Sequence, residues 1–313
     1  MKNLVSLFLL SILLISCNKD LSNIPDLGRK IVVNGLITTD NLLNIRIGRS
    51  TYINDFNELD DLDSAVVQFY RNDSRVDSIY HVPWYSFEIW NVFNSGNYRS
   101  KKVFPEPGKE YKVVVKAHNL PDASATVTIP FVVPVVKVDT SGIILPQGSY
   151  FNYNKGYLCK IEFDDPGDET NFYLFSVHEI FANPDEEYSS INHNLDFHCL
   201  DPIVEEKLFS GYRNEAVAFS DKLINGQKHI ISVIIKKEDI GLYAPGNSQK
   251  VNFRLYSITE DFFQYIRNLN LYNKNLGSPF AEPVTVFSNI IDGYGFFTGA
   301  SVSEVSIEFP LAR

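Results

Sequence analysis

Short runs in which apolar and polar residues alternate fill most of this chain, and they predict β-strands. The runs 31–38, 44–49 and 110–117 are rich in β-branched residues and are bounded by turn residues. Comparable runs recur in the second half of the chain, over 157–163, 171–177, 216–219, 229–235 and 250–256. The spacing predicts a mainly β protein, with an N-terminal immunoglobulin-like β-sandwich followed by a second β-rich domain.

Two prolines divide this strand pattern. Pro130 and Pro134 flank the apolar run 131–133, and a proline cannot donate a hydrogen bond to the ladder of an internal strand. We therefore expect the sandwich to occupy residues 30–133 and the C-terminal β-rich domain to occupy residues 134–313.

One segment has a helical period instead of an alternating one. Phe262, Ile266 and Leu269 recur at i, i+4 and i+7, and Ser257 with Glu260 has the form of a capping box. The pattern predicts one short amphipathic helix whose aromatic stripe faces the core.

The N-terminus has the layout of a bacterial secretory signal, with Lys2 ahead of an apolar stretch that is too short to span a bilayer. Leu14-Ile15-Ser16-Cys17 fits the lipobox pattern, in which cleavage before the cysteine is followed by acylation. Residues 1–16 are then a signal peptide and residues 17–29 a lipidated tether, because several acyl chains on Cys17 anchor a protein stably. The alternative is an ordinary signal peptide followed by an incidental cysteine.

The net charge of −10 excludes one class of partner. An acidic surface repels phosphate backbones, so we expect no nucleic-acid partner. No second apolar run reaches the roughly 18 residues that a membrane span requires. The acyl chains are therefore the only membrane contact that the sequence predicts.

Sequence signatures of common enzymes are absent. The chain contains no Gly-x-Ser-x-Gly elbow, no His-Glu-x-x-His, no P-loop and no Cys-x-x-Cys. We therefore expect no enzymatic activity and no cofactor.

Two cysteines remain once Cys17 is assigned to lipid. Cys159 and Cys199 form an even pair in an oxidising compartment, which allows a disulfide between them. Cys159 also lies in an apolar predicted strand, where a buried free thiol is equally ordinary.

The segment 192–201 holds the densest set of potential metal ligands. His193, Asp196 and His198 are the candidate ligands, and Cys199 lies beside them. Their spacing matches no established metal motif, and strand alternation would point His198 and Cys199 to opposite faces. A polar excursion between strands is the alternative interpretation.

Two acidic runs offer oxygen atoms to calcium. They lie at 55–63 and 164–169, and neither has the spacing of an EF-hand loop. Solvated loops are the alternative interpretation of both.

An aromatic segment around 84–93 contains both tryptophans of the chain. Strand alternation there would place Trp84 and Trp90 on the face away from the core. An exposed tryptophan pair is a candidate interaction site for sugars or for a partner protein. The alternative is aromatic packing within the sandwich or between the domains.

Several segments together resemble one protein family. They are VVNGLIT (32–38), PGKEY (107–111), ATVTIP (125–130), LYSITED (255–261), PFAEPV (279–284) and SNIIDGYG (288–295). With these segments the chain resembles a domain-of-unknown-function family of Bacteroidota lipoproteins, typically encoded beside TonB-dependent outer-membrane receptors. The resemblance covers about residues 31–309. It implies an immunoglobulin-like N-terminal domain and an accessory role, and it supplies no catalytic residues.

The function expected from these features is that of an outer-membrane lipoprotein that binds a TonB-dependent receptor and helps to capture a nutrient. Whether the protein faces the periplasm or the cell surface stays open, with the surface favoured. The first alternative is a structural or adhesive surface protein, and the second is a hydrolase with a non-standard site.

Overall fold

A computed structural model of the protein describes residues 28–51, 60–82, 96–144, 155–182, 190–210, 213–241, 250–275, 282 and 284–309. The predicted fold class is confirmed, because the protein is mainly β, with 55% strand and 10% helix. Among the described residues, no helix has both the length and the apolar composition needed to cross a membrane.

The strands account for most of the residues that the structure describes. In the described part of the chain they are β1 (Ile31–Thr38), β2 (Asn44–Arg49), β3 (Asp60–Asp61), β4 (Val66–Arg71), β5 (Ser74–His81), β6 (Tyr98–Arg99), β7 (Glu110–Lys116), β8 (Ala123–Thr128), β9 (Val135–Ile144), β10 (Lys155–Asp164), β11 (Phe172–Ala182), β12 (Ser190–Asn194), β13 (Phe197–Cys199), β14 (Glu206–Ser210), β15 (Arg213–Ser220), β16 (Lys228–Lys236), β17 (Lys250–Ile258) and β18 (Tyr294–Glu308). The α-helix that the described residues contain, α1 (Glu260–Asn275), lies between β17 and β18.

Most of the described strands belong to one large sheet. Its order is β14-β15-β11-β17-β18-β1-β2-β6-β5-β4-β7-β8, with β12 paired to β11 and β3 paired to β2. A second sheet has the order β13-β16-β10-β9. The first and last strands are neighbours, because β1 pairs in parallel with β18 from Val32 opposite Tyr294 to Thr38 opposite Ala300.

The N-terminal strands enclose a core of their own because β8 returns to pack against β18. Phe297 of β18 lies in this core together with Val33, Phe69 and Tyr111. The C-terminal end of the chain therefore contributes to the N-terminal sandwich. The division between residues 133 and 134 stays a prediction, and the strand pairing adds that β18 is shared across it.

The second sheet packs on one face of the large sheet. Apolar side chains of β10 and β16 meet those of β11 and β17, including Phe163, Val233, Phe175 and Phe253. Backbone amides at the start of β9 are fixed to the large sheet, since Val135 N donates to Ser303 Oγ at 2.8 Å.

Helix α1 covers the opposite face of the large sheet. Phe262 and Ile266 are buried as the periodicity predicts, whereas Leu269 is only half-buried. Phe263, which the period did not include, is buried as well, and Tyr265 packs beside them. The predicted capping box is wrong, because Ser257 lies inside β17 and its hydroxyl accepts a hydrogen bond from Val133 N. The helix begins at Glu260 instead, since the strand hydrogen bonds continue through Ile258.

Candidate functional site

The N-terminal end of β1 forms a small surface with the turn before β18, and we call this surface the tether end. It consists of Arg29, Lys30, Ile291 and Tyr294. Because β1 and β18 are parallel, both strands start at this end, and Lys30 Nζ lies 5.3 Å from the centre of the Tyr294 ring. The side chains of Ile291 and Tyr294 are 64% and 41% exposed. Asp292 followed by glycine is a turn signal in the sequence, but no local pattern shows that this turn lies beside the N-terminal end of β1.

The turn is held rigidly in place. Ser124 and Ile291 exchange two backbone hydrogen bonds, of 3.2 and 2.8 Å, which fix the turn to β8. Asp292 has a φ of 57° and Gly295 a φ of 97°, so the chain reverses tightly between them. Asn289 adds three hydrogen bonds, to Asp261 Oδ2 and to the backbone amide and carbonyl of Phe297.

A groove of about 420 Å³ lies at the β4–β5 turn of the sandwich. Arg71, Lys102, Phe104 and Glu106 line it, and Arg71 forms an ion pair with Glu106. The lining of the groove combines one exposed aromatic ring with two basic side chains and one carboxylate.

The predicted metal ligands are only partly described. Asp196 and His198 flank the start of β13, while His193 lies in β12, where the structure describes the backbone alone. Burial lowers the pKa of His198, and nearby Lys207 lowers it further against the opposing effect of Asp196. Within the described ranges, no three His, Cys, Asp or Glu side chains are grouped as a metal site requires.

The two remaining cysteines are free thiols, so the predicted disulfide is not formed. Cys159 of β10 and Cys199 of β13 both lie opposite Val233, on the two sides of β16. Strands two apart in a sheet are separated by about 9.5 Å, beyond the reach of a disulfide. Burial raises the pKa of Cys159 to about 12 and that of Cys199 to about 11, so both thiols are protonated.

Two histidine pairs bear on the hydrolase alternative. His229 Nε2 lies 2.7 Å from Asp201 Oδ2, and Ser176 Oγ lies 2.6 Å from His178 Nε2. The pairs are in different sheets, and Ser176 and His178 are both buried. The Ser176 hydroxyl is therefore not open to a substrate, and neither pair was predicted from the sequence.

In the acidic run at 164–169, the Asp165 carboxylate forms hydrogen bonds inside the protein. Asp165 is buried, and its two oxygens accept hydrogen bonds from the Tyr173 hydroxyl and from Gly226 N. This geometry makes Asp165 a structural residue that joins two loops. The other acidic run, at 55–63, lies mostly outside the described residues.

Glu179 is a deeply buried carboxyl group whose second oxygen lacks a hydrogen-bond partner within the described residues. Its side chain is 1% exposed, and its Oε1 accepts a hydrogen bond from Gly241 N at 2.8 Å. The Oε2 atom is buried and has no hydrogen-bond partner in the described residues. Burial raises the pKa of Glu179, against the opposing effect of the Gly241 amide.

We expect Glu179→Gln to change how stability depends on pH. Because the folded state raises the pKa of Glu179, the stabilisation from its protonated form is fully present below the ordinary glutamate pKa and is lost as the pH rises through the raised pKa. The variant, which cannot ionise, should therefore be more stable than the wild type at neutral pH. Urea unfolding across the pH range measures the difference, which should vanish in acid.

The matched control for that measurement is Glu308→Gln, since Glu308 is an exposed carboxylate in strand β18 of the same sheet. It should follow the wild-type pH profile. A Glu179→Gln profile that runs parallel to the wild type at every pH would contradict the expectation.

Three of the predicted site residues, Cys17, Trp84 and Trp90, lie outside the described residues. Lipidation at Cys17 and interaction through the tryptophan pair stay predictions.

The fold defines a mainly β protein built from one large sheet and one small sheet. Within that class, the chain belongs to the family described as a domain of unknown function, DUF4249, whose model matches residues 20–306. No curated protein matches the chain. Among solved structures, the full-length major pilin SpaD from Corynebacterium diphtheriae is similar at 12% identity over 91% of this chain and 67% of the pilin chain, with a TM-score of 0.20.

Proposed function

We propose that the protein is an outer-membrane lipoprotein that acts as a binding partner of a TonB-dependent receptor in nutrient uptake. The observation that carries the proposal is the lipobox Leu14-Ile15-Ser16-Cys17 directly ahead of the DUF4249 region, which begins at residue 20. A short tether then joins the acylated cysteine to β1, so the folded body stays near the membrane and near membrane-bound partners.

The described surfaces support binding more than catalysis. The groove beside Phe104 is open, and strand β9 of the small sheet pairs only with β10 among the described strands. Open strand edges and exposed aromatic rings are surfaces that proteins use to recognise peptides and partners.

The first test is Cys17→Ser in the full-length chain. We expect the wild type to be recovered with the outer membrane and the variant to be released as soluble protein, because acylation requires the cysteine thiol. Labelling with a fatty-acid analogue and membrane fractionation measure this. Cys199→Ser is the matched control and should stay in the membrane.

The receptor part of the proposal needs a separate measurement. The acylated protein purified from native membranes in mild detergent should carry a TonB-dependent receptor with it. Recovery without such a receptor, together with a deletion strain that loses adhesion alone, would favour a structural surface protein instead. Protease accessibility on intact cells reports which side of the membrane the body faces.

A further inference from the structure

Strand β9 is a long open edge of the small sheet. Among the described strands it pairs with β10 alone, and it extends over ten residues, Val135–Ile144. Residues 139–142 are all exposed, and because successive residues of a strand point to opposite faces, neither face is covered there. No atom lies within 4 Å of the Cβ position at Gly142. The backbone groups on such an edge are a template for pairing with another strand.

Other strands at the ends of the two sheets are covered or short. Ser124 of β8 exchanges two backbone hydrogen bonds with Ile291, and Asn270 of α1 donates to the Lys207 carbonyl of β14 at 3.0 Å. Strand β13 has only three residues. In β9 a bulge disturbs the ladder with β10 at the first residues alone. From Lys137 onward the register is regular, so this part of β9 is the edge on which another strand can pair.

The charges on the outer face of the small sheet form rows of alternating sign. Lys160 and Glu162 flank the buried Ile161 and therefore point away from the large sheet. In the register of β9 and β10, Lys137 lies opposite Glu162 and Asp139 lies opposite Lys160. Lys137 and Asp139 also form an ion pair of 2.7 Å with each other, and their side chains are 60% and 59% exposed. The open edge thus presents one cation and one anion, two residues apart on the same face.

This spacing is self-complementary. When two β9 strands pair in antiparallel fashion about a twofold axis at Val138, residue 137 of each copy lies opposite residue 139 of the other. Lys137 then lies opposite Asp139 twice, and each row of alternating charges continues from one copy into the next. Opposite charges directly across a strand pair are favourable, whereas like charges are unfavourable.

The charges also select one register and one kind of partner. Moving the axis by one residue would place either Asp139 opposite Asp139 or Lys137 opposite Lys137. Only the axis at Val138 makes both contacts attractive. A second copy of this chain supplies the matching charges by symmetry, and we therefore choose it as the occupant of the edge.

We propose that β9 is a dimerisation edge, on which a second copy of this chain adds its own β9 antiparallel about Val138 and joins the two small sheets into one continuous sheet. The proposal goes beyond the proposed function, because the contact needs neither an acyl chain nor a receptor. Anchoring in a membrane would favour the dimer further, since it raises the local concentration of the two copies.

The first test is disulfide cross-linking of the full-length chain in native membranes. At the proposed axis, the two copies of Val138→Cys have Cα atoms about 5 Å apart, within the reach of a disulfide. We expect a covalent dimer under mild oxidation that a reductant reverses. Ser141→Cys is the matched control on the same strand, because its two copies lie about 20 Å apart in this register and should stay unlinked. Both variants carry Cys159→Ala, since Cys159 lies diagonally across from residue 138 in β10 and would compete.

The second test exchanges the charges in the mature chain with Cys17→Ser, purified without acylation, and measures its association by analytical ultracentrifugation. Lys137→Asp and Asp139→Lys should each weaken self-association about thirtyfold, because two attractive contacts become repulsive. An equal mixture of the two variants should associate like the parent, since every lysine at 137 or 139 again lies opposite an aspartate. Lys112→Asp makes the same change of charge at an exposed position of β7 and should associate like the parent.

The outcomes distinguish this proposal from the proposed function. A parent chain that stays monomeric at every concentration and a Val138→Cys variant that forms no covalent dimer would overturn it. Equal cross-linking of Ser141→Cys, or charge variants that mixing does not restore, would contradict the pairing about Val138. If Val138→Cys becomes linked to a different protein, the edge belongs to that partner and the dimer is wrong. If the dimer follows the expected pattern while no receptor is recovered, the dimer stands and the accessory role fails.

Discussion

Gly295→Ala is expected to destabilise the protein by about 4 kcal/mol, which is a large fraction of a typical folding free energy. Gly295 has a φ of 97°, a region that side chains with a Cβ atom rarely adopt. A Cβ atom at this position would overlap the carbonyl oxygen of Val33 and lie 2.5 Å from Asn34 Oδ1. Val33 is the direct partner of Gly295 in the parallel ladder, so β1 and β18 would have to separate locally.

Gly28→Ala is a matched control because it changes the same residue type at a similar φ, 75°. No atom lies within 4 Å of the Cβ position at Gly28. This variant therefore loses only the free energy of holding an alanine in the left-handed backbone region, about 1 to 2 kcal/mol. Urea unfolding of both variants measures the difference. Equal destabilisation would show that the contact between β1 and β18 tolerates a methyl group, and it would contradict the described pairing.

Asp165→Ala is expected to destabilise the protein by about 3 kcal/mol. The Asp165 carboxylate is 6% exposed and receives the buried Tyr173 hydroxyl and the Gly226 amide. Its removal leaves both donors without an acceptor, and an unsatisfied buried donor costs about 1 to 3 kcal/mol. The hydrogen bond also raises the pKa of Tyr173, after the larger effect of burial, so the hydroxyl stays protonated and keeps its need for an acceptor.

Two comparisons make the second prediction specific. Asp168→Ala removes an exposed carboxylate from the same loop and should change the free energy of unfolding by less than about 0.5 kcal/mol. Tyr173→Phe combined with Asp165→Ala should cost less than the sum of the single variants, because the two groups bond to each other. Additive losses would mean that the hydrogen bond contributes no coupling and that Asp165 acts through Gly226 alone.

The same residue shows how much of the candidate chemistry could be predicted. The sequence places Asp165 among several carboxylates, which suits either calcium or solvent. The sequence cannot show that the hydroxyl of Tyr173, a residue of the following strand, donates a hydrogen bond to Asp165. The cysteines show the same limit. The sequence allows a disulfide between Cys159 and Cys199, whereas the strand register places them on opposite sides of Val233, too far apart for a bond.

The sequence also could not predict that the residues of the tether end lie together. The turn at Asp292 is recognisable because aspartate followed by glycine favours a tight turn. Its location beside Lys30 depends on the parallel pairing of the first and last strands, a contact between residues more than 250 positions apart. Contacts of that length leave no local pattern of hydrophobic and polar residues.

The sequence by itself determined the local structure of this protein. The bounds of β1 and β2 match the predicted runs, and the buried stripe of α1 follows its period, because alternation and helical spacing arise from the backbone geometry of each element. The patterns that predict a secretory signal and a lipid anchor are also local, because each is contained in a few consecutive residues.

The tertiary structure decided what those elements do together. It placed Ser257 in a strand, where hydrogen bonds to Val133 N and to β18 outweigh the helix-capping preference. It also used β18 in the core of the N-terminal sandwich. Which strands become neighbours depends on how several apolar faces can be buried at once, and only the complete fold satisfies that condition.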